Sequence, residues 1–175
     1  MPSLVGSEMC IRDRFNHESP RRGQTFVTKK IVNAAVRIKN GLLQKVSLGN
    51  LNAKRDWGYA PEYVEAMWLM LQQDIPDDFV ISTGKTHTIK RFCELAFNEV
   101  GIAIVWDGEA ENEIGINKKN GKTIVDIDPK YFRPTEVDLL IGDSTKAKKI
   151  LKWQPKTSLK KLIKIMVEAE NKIKK

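Results

Sequence analysis

Cysteine is scarce in this chain of 175 residues: only Cys10 and Cys93 occur, in unrelated surroundings. With no CxxC and no Cys/His cluster, neither a disulfide framework nor a zinc site is supported. No stretch approaches the ~18 apolar residues needed to cross a membrane, so no membrane partner is expected. A secretory signal is lacking too. Leu4 and Val5 are too short an apolar region, and Arg12, Asp13 and Arg14 follow them. A reducing, cytoplasmic setting fits these absences.

Arginine and aromatics are missing where the positive charge is densest. The net charge is +8, yet residues 146–175 alone carry eleven lysines against two acids, Glu168 and Glu170. The rest of the chain is therefore close to neutral. This basic end contains no arginine, and Trp153 is its only aromatic. Nucleic-acid grooves interleave arginine and aromatics with their charge. A solvated lysine face on a helix is the better reading, and no nucleic-acid partner is expected.

What is present is enough apolar residue, 41%, to bury a core in a chain of which 30% of the residues are charged. Residues 1–14 show neither helical nor strand periodicity and read as a disordered or foreign leader. NHESPRRG at 16–23 holds proline and glycine and reads as a loop. It offers Asn16, His17 and Arg22 as ligand contacts, although a lone loop histidine more often meets only water. An apolar stripe of Phe26, Val27, Ile31, Ala34, Ala35 and Ile38 predicts a helix stopped at Gly41. Lys29 and Lys30 lie in its early turns, where they face either a ligand or water.

The stretch LGNLNAKRDWGYAPEY at 48–63 organises the rest. It predicts a strand ending near Gly49, a loop carrying Arg55, and a helix opened by Pro61. That arrangement presents groups to a ligand at a strand's carboxyl end. A guanidinium fork suits a phosphate. The alternative is that Arg55 and Asp56 pair at the surface while Trp57 fills core. Further on, Phe79-Val80-Ile81 predicts a buried strand. Thr86 is expected to cap a helix bearing Cys93 on its buried face, which Gly101 ends. Residues 102–106 predict a strand, 107–121 a long loop, and 122–127 another strand. Arg133, held extended by Pro134, projects its fork. Glu136 is placed to accept hydrogen bonds from a sugar diol. Asp143 caps a short helix and Ser158 a last amphipathic one. Two arginine forks, Arg55 and Arg133, closing on one diphosphate would suit a nucleotide-sugar.

NHESPRRG, FVTKKI, LGNLNAKRDWGYAPEYVEAMW and YFRPTEVDLLIGD together resemble the GDP-mannose 4,6-dehydratases of the extended short-chain dehydrogenase/reductase family, from Phe15 to the C-terminus. The resemblance implies an α/β fold, with residues 15–175 forming the C-terminal, substrate-binding portion of a Rossmann-type enzyme. It implies NADP as cofactor and GDP-mannose as substrate, with oxidation at C4, loss of water across C5 and C6, and hydride return to C6. It also implies a homo-oligomeric full-length enzyme. By the same resemblance His17 and Arg22 match the cofactor side. Asn16, Lys29, Arg55, Arg133 and Glu136 match the side that holds GDP-mannose. The family's glycine-rich turn is absent, and no Y-x-x-x-K pair exists: Tyr63, Met67 and Thr135 stand four residues after Tyr59, Tyr63 and Tyr131. Most of the dinucleotide-binding domain is therefore expected to be missing, and no residue of the chain inherits the catalytic base role.

Overall fold

The structure, a computed structural model, describes residues 12–132 and 141–173. The elements run β1 (Arg12–Arg14), β2 (Asn16–Glu18), α1 (Val27–Lys39), β3 (Val46–Leu48), β4 (Lys54–Tyr59), α2 (Ala60–Leu71), β5 (Phe79–Ile81), β6 (Thr86–Thr88), α3 (Ile89–Glu99), β7 (Ile104–Asp107), β8 (Ile114–Asn117), β9 (Thr123–Ile127), α4 (Thr145–Ile150) and α5 (Leu159–Ile173). The α/β class read from the sequence is the class observed.

The strands form three small sheets: a parallel β1–β5 pair, β2–β4–β6, and β3–β9–β8–β7. Strand β4 sits centrally in the second, parallel to β2 and antiparallel to β6. The organising stretch is therefore a strand where the sequence suggested a loop. Arg55 lies inside that strand, opposite His87. Sequence pattern hid β4 because Arg55 and Asp56 break the apolar alternation. The backbone ladder to two neighbours outweighs that side-chain signal.

Four further expectations are corrected by the structure. Asn16–Glu18 is a strand and not part of a loop, since its backbone pairs with β4 from Trp57 to Tyr59. Residues 12–14 of the supposed leader pair with β5. The long loop after Asp107 contains β8, whose Gly115 sits against Val125. Thr86 belongs to β6, and the α3 cap is Thr88, whose hydroxyl accepts from the Arg91 N–H at 3.0 Å.

The principal core joins α1, α3 and α5 to β3, β4 and β9, with Ile31, Val32, Phe92, Phe97, Leu162 and Met166 at its centre. Trp57 belongs to it, edge-on to Phe92 at 5.2 Å between ring centroids. Helices α1 and α3 end in the same hydrogen-bond pattern. The Leu42 N–H returns to the Arg37 carbonyl at 2.8 Å, and the Ile102 N–H to that of Phe97 at 2.9 Å. Gly41 and Gly101, at φ +71° and +81°, supply the left-handed turn that this closure needs. A second core packs Tyr63, Ala66 and Met70 of α2 on Phe79 and Ile81 of β5, with Ala147, Leu151 and Trp153. Among the described residues no helix is long and apolar enough to cross a membrane.

Candidate functional site

Parallel strands β3 and β9 end together, Leu48 beside Ile127. In α/β folds ligands collect at such carboxyl ends. The chain leaves β9 through Asp128, whose N–H donates to the Leu48 carbonyl at 2.9 Å, and turns back at Tyr131 and Phe132. That turn lies directly on Gly49: a Cβ there would stand 2.4 Å from the Tyr131 carbonyl oxygen. Glycine is thus required by the approach of one backbone to another. Beside the turn, between α1 and β3, opens a cavity of about 430 Å³, lined in part by Lys30, Asn33, Arg37, Lys45 and Tyr131. The Lys30 ammonium donates to the Ser47 carbonyl at 2.7 Å and lies 4.6 Å from the centre of the Tyr131 ring. Lys45 is drawn to Asp126 at 2.6 Å, which holds that carboxyl below the usual carboxylate range against the opposing effect of burial.

Strand β4 follows β3 in the chain but lies in the β2–β4–β6 sheet. Asn16 pairs in register with Trp57, and Arg55 is two residues before Trp57. Side chains alternate along a strand, so register places Asn16 and Arg55 on one face and His17 on the other. His17 stacks on Tyr63, 5.2 Å between ring centroids, and its Nδ1 is 3.1 Å from the Phe15 carbonyl. Tyr63 fills the space that a side chain at position 58 would take: a Cβ on Gly58 would fall 2.2 Å from its ring. Burial raises the Tyr63 phenol well above its ordinary range, and neighbouring Asp56 and Glu62 add to this.

Asp56 does not form the surface pair with Arg55 that was one reading of this sequence. Its side chain is fully buried and accepts from the Thr83 hydroxyl at 2.5 Å, the Thr83 N–H at 3.1 Å and the Gly84 N–H at 2.9 Å. The carboxylate clamps the turn between β5 and β6, so the charge pattern RD is one half-exposed and one buried, architectural group. The Arg55 guanidinium donates to the Lys54 carbonyl at 2.8 Å.

Lys29 also stands elsewhere than expected. Its ammonium is buried between α1 and α5, 2.7 Å from a Glu170 carboxylate oxygen and 3.0 Å from the Pro20 carbonyl. One residue is about 100° of helix; that step turns Lys29 to α5 and Lys30 to the cavity. Arg22 packs its guanidinium 3.5 Å above the Phe26 ring, with Nε 3.2 Å from Glu18. Glu18 is buried, which pushes its carboxyl up despite the Thr28 hydroxyl bond at 2.7 Å and the charge of Arg22. Arg133 and Glu136 lie outside the described residues, directly after the Tyr131–Phe132 turn in sequence. Among the described residues no group of histidine, cysteine and carboxylates is arranged to hold a metal.

A family model described as GDP-mannose 4,6 dehydratase matches residues 4–166. The chain belongs to the GDP-mannose 4,6 dehydratase family. A relative of that name from Dictyostelium discoideum is 60% identical over 153 residues, 87% of this chain and 43% of its own length. The human relative is 56% identical over 156 residues, covering 89% and 42% respectively. The chain therefore spans about two-fifths of the length of these dehydratases. Among solved structures, RMD from Pseudomonas aeruginosa complexed with NADPH has a TM-score of 0.74 at 15% identity, over 95% of this chain and 49% of that one. The UDP-glucose 4-epimerase from Thermotoga maritima with UDP-glucose has a TM-score of 0.69 at 25% identity, over 95% and 47%. The first of these shows a shared fold.

The register of β2 on β4 puts Asn16 and Arg55, both expected from the sequence pattern to meet the nucleotide-sugar, on one face of that sheet. The sequence pattern did not single out Lys30, Arg37 or Tyr131 as lining one cavity. The only available signal was Lys30 standing one step beyond Lys29, and which of two adjacent lysines faces a core carboxylate depends on where α5 packs.

Proposed function

We propose that this chain is the part of a GDP-mannose 4,6-dehydratase that holds the nucleotide-sugar, and that it needs the remaining part of such an enzyme to dehydrate it. The observation that carries the reading is the register of β2 on β4, which sets Asn16 beside the strand bearing Arg55 in a chain of this family. The diphosphate would lie against Arg55 and Arg133. Lys30 would supply further positive charge from the cavity, and Glu136 would accept from the ribose. Lys29 acts through its pairing with Glu170 by fixing α1, and with it the height of Lys30.

NADP is the cofactor proposed, with His17 and Arg22 contributing. The fit is partial. Arg21 and Arg22 offer two guanidinium groups in the turn after β2, suited to a phosphate. The sequence contains no glycine-rich strand-to-helix turn to take the pyrophosphate, and no Y-x-x-x-K to move the proton. The cofactor supplies the hydride chemistry. This chain's residues would bind and orient the sugar, a reading supported by its likeness to GDP-mannose 4,6 dehydratases and to a UDP-glucose 4-epimerase with UDP-glucose.

Calorimetric titration with GDP-mannose is the test. A charge-assisted hydrogen bond contributes roughly 1.5–3 kcal/mol, so Arg55→Ala should weaken binding by about tenfold or more. Equal binding by the parent and the Arg55→Ala chain would overturn the proposal. So would conversion of GDP-mannose by the 175 residues alone.

A further inference from the structure

A second cavity, of about 440 Å³, opens where β6 and the first turns of α3 face residues 155–160 at the start of α5. Among the described residues its wall carries Lys85, His87, Arg91, Lys156 and Lys160, and no aspartate or glutamate. Arg55 is not part of that wall, and no residue of it lines the cavity beside Tyr131. The carboxylates close by are already bonded. Glu94 accepts from Arg91 at 2.7 Å, Glu62 from the Thr157 hydroxyl at 2.7 Å, and Asp56 from the Thr83 hydroxyl at 2.5 Å. Lys156 has only Glu65, at 3.9 Å. Lys85 and Lys160 have no carboxylate partner among the described residues.

The side-chain groups left over in this wall are donors. The Ser158 oxygen accepts the Lys161 N–H at 3.3 Å, which leaves the Ser158 proton free. Trp57 lines the cavity and is only 4% exposed. Its indole N–H has no acceptor among the described residues, although a buried indole ordinarily finds one. Trp106 and Trp153 each have theirs, the Glu94 carboxylate at 3.1 Å and the Glu62 carbonyl at 2.8 Å. Ammonium, guanidinium, hydroxyl and indole donors with no carboxylate among them select a ligand that accepts at every atom and carries negative charge. A phosphate group is such a ligand, and the guanidinium fork of Arg91 matches its geometry. Leu95, Pro155 and Leu159 complete the wall with apolar surface on which an organic substituent can rest.

We propose that this cavity is a second anion site, which takes the phosphate group of a small phosphate ester or of free phosphate between Lys85, Arg91 and Lys160, with Trp57 and Ser158 as neutral donors. The inference does not rest on the nucleotide-sugar reading of Arg55. Solvated surface lysines alone would leave the buried Trp57 N–H without an acceptor. His87 reports occupancy, since it lines the same cavity and the chain has only one other histidine, His17. Burial lowers the His87 pKa from 6.5 against the pull of Asp56, and Arg91 and Lys85 add to the lowering. Arg55 stands opposite it on β4, and Lys156 and Lys160 lie in the same wall. An anion among these cations offsets them. The His87 pKa therefore rises as the site fills, and binding tightens as His87 takes its proton.

The experiment follows both histidines by NMR in the 175-residue chain during titration with inorganic phosphate, with glucose 6-phosphate, and with sodium chloride at matched ionic strength. Phosphate or the ester should raise the His87 pKa and leave that of His17 in place, and chloride should do neither. Half-response at a lower concentration of the ester identifies an ester as occupant; the reverse identifies free phosphate. A Lys85→Ala, Lys160→Ala chain should need at least about tenfold more ligand for half-response, because each lost charge-assisted contact contributes roughly 1.5–3 kcal/mol. Arg55→Ala should leave the response unchanged. A His87 response no larger than that to chloride overturns the proposal, as does one that the two alanines leave intact. A response abolished by Arg55→Ala, or blocked by saturating GDP-mannose, overturns it too, since the anion then sits in the nucleotide-sugar site. Failure of GDP-mannose to bind at all would remove the functional proposal and leave this one standing.

Discussion

Replacing Lys29 by methionine tests whether the α1–α5 junction depends on a buried charge pair. The Lys29 ammonium and the Glu170 carboxylate are 2.7 Å apart, with side chains only 6% and 4% exposed. Removing one partner of such a pair costs roughly 3–5 kcal/mol, because the other charge stays buried without compensation. Here Glu170 keeps the Asn33 amide, which donates to its second oxygen at 3.2 Å. That remaining donor puts the expected loss near the lower end, about 3 kcal/mol. At an m-value of about 2 kcal/mol/M, the urea midpoint should fall by about 1.5 M. The double change Lys29→Met, Glu170→Leu removes both charges and should recover much of the loss, since buried pairs and apolar replacements of similar volume are often close in stability. Urea unfolding followed by circular dichroism measures all three chains. A single variant within about 1 kcal/mol of the parent would refute the reasoning, as would a double variant no more stable than the single.

Other outcomes follow from single contacts. Gly58→Ala should destabilise by about 1–3 kcal/mol through overpacking, because its Cβ would meet the immobile Tyr63 ring at 2.2 Å; thermal melts decide it. Gly49→Ala should displace the Tyr131 turn, so GDP-mannose affinity should fall more than the melting temperature does, as calorimetry beside melts would show. Burial holds His87 below its ordinary pKa of 6.5, outweighing the opposing pull of Asp56, with Arg91 and Lys85 adding to the lowering. A histidine kept neutral by folding stabilises fully above 6.5. That stability is lost as pH falls from 6.5 through the lower folded value. A His87→Gln chain should therefore lose less stability than the parent between pH 7 and pH 5. Cys93 is fully buried, and burial pushes its thiol far up. Peptide mapping after iodoacetamide should find it unlabelled until denaturant unfolds α3.

Helices were the legible part of this chain. The stripes of α1, α3 and α5 and the glycines that close α1 and α3 follow from a 3.6-residue repeat and local turn chemistry, which neighbouring residues largely decide. The strands Asn16–Glu18 and Lys54–Tyr59 were not legible, since they are short, polar and held by backbone partners tens of residues away. Residue chemistry and family pattern led to the expectation of a cationic site with a neutral hydrogen bonder. Its membership could not be read from them. Asp56 and Arg55 are adjacent in sequence, yet alternation across β4 buries one in the β5–β6 turn and leaves the other half-exposed. Lys29 and Lys30 divide in the same way about α1, by a rotation of one residue. Sequence by itself determined which chemical groups this protein has and which segments coil. Only the tertiary structure decided which of two neighbouring charges faces a carboxylate in the core and which faces an open cavity, because that depends on packing partners up to 141 positions away.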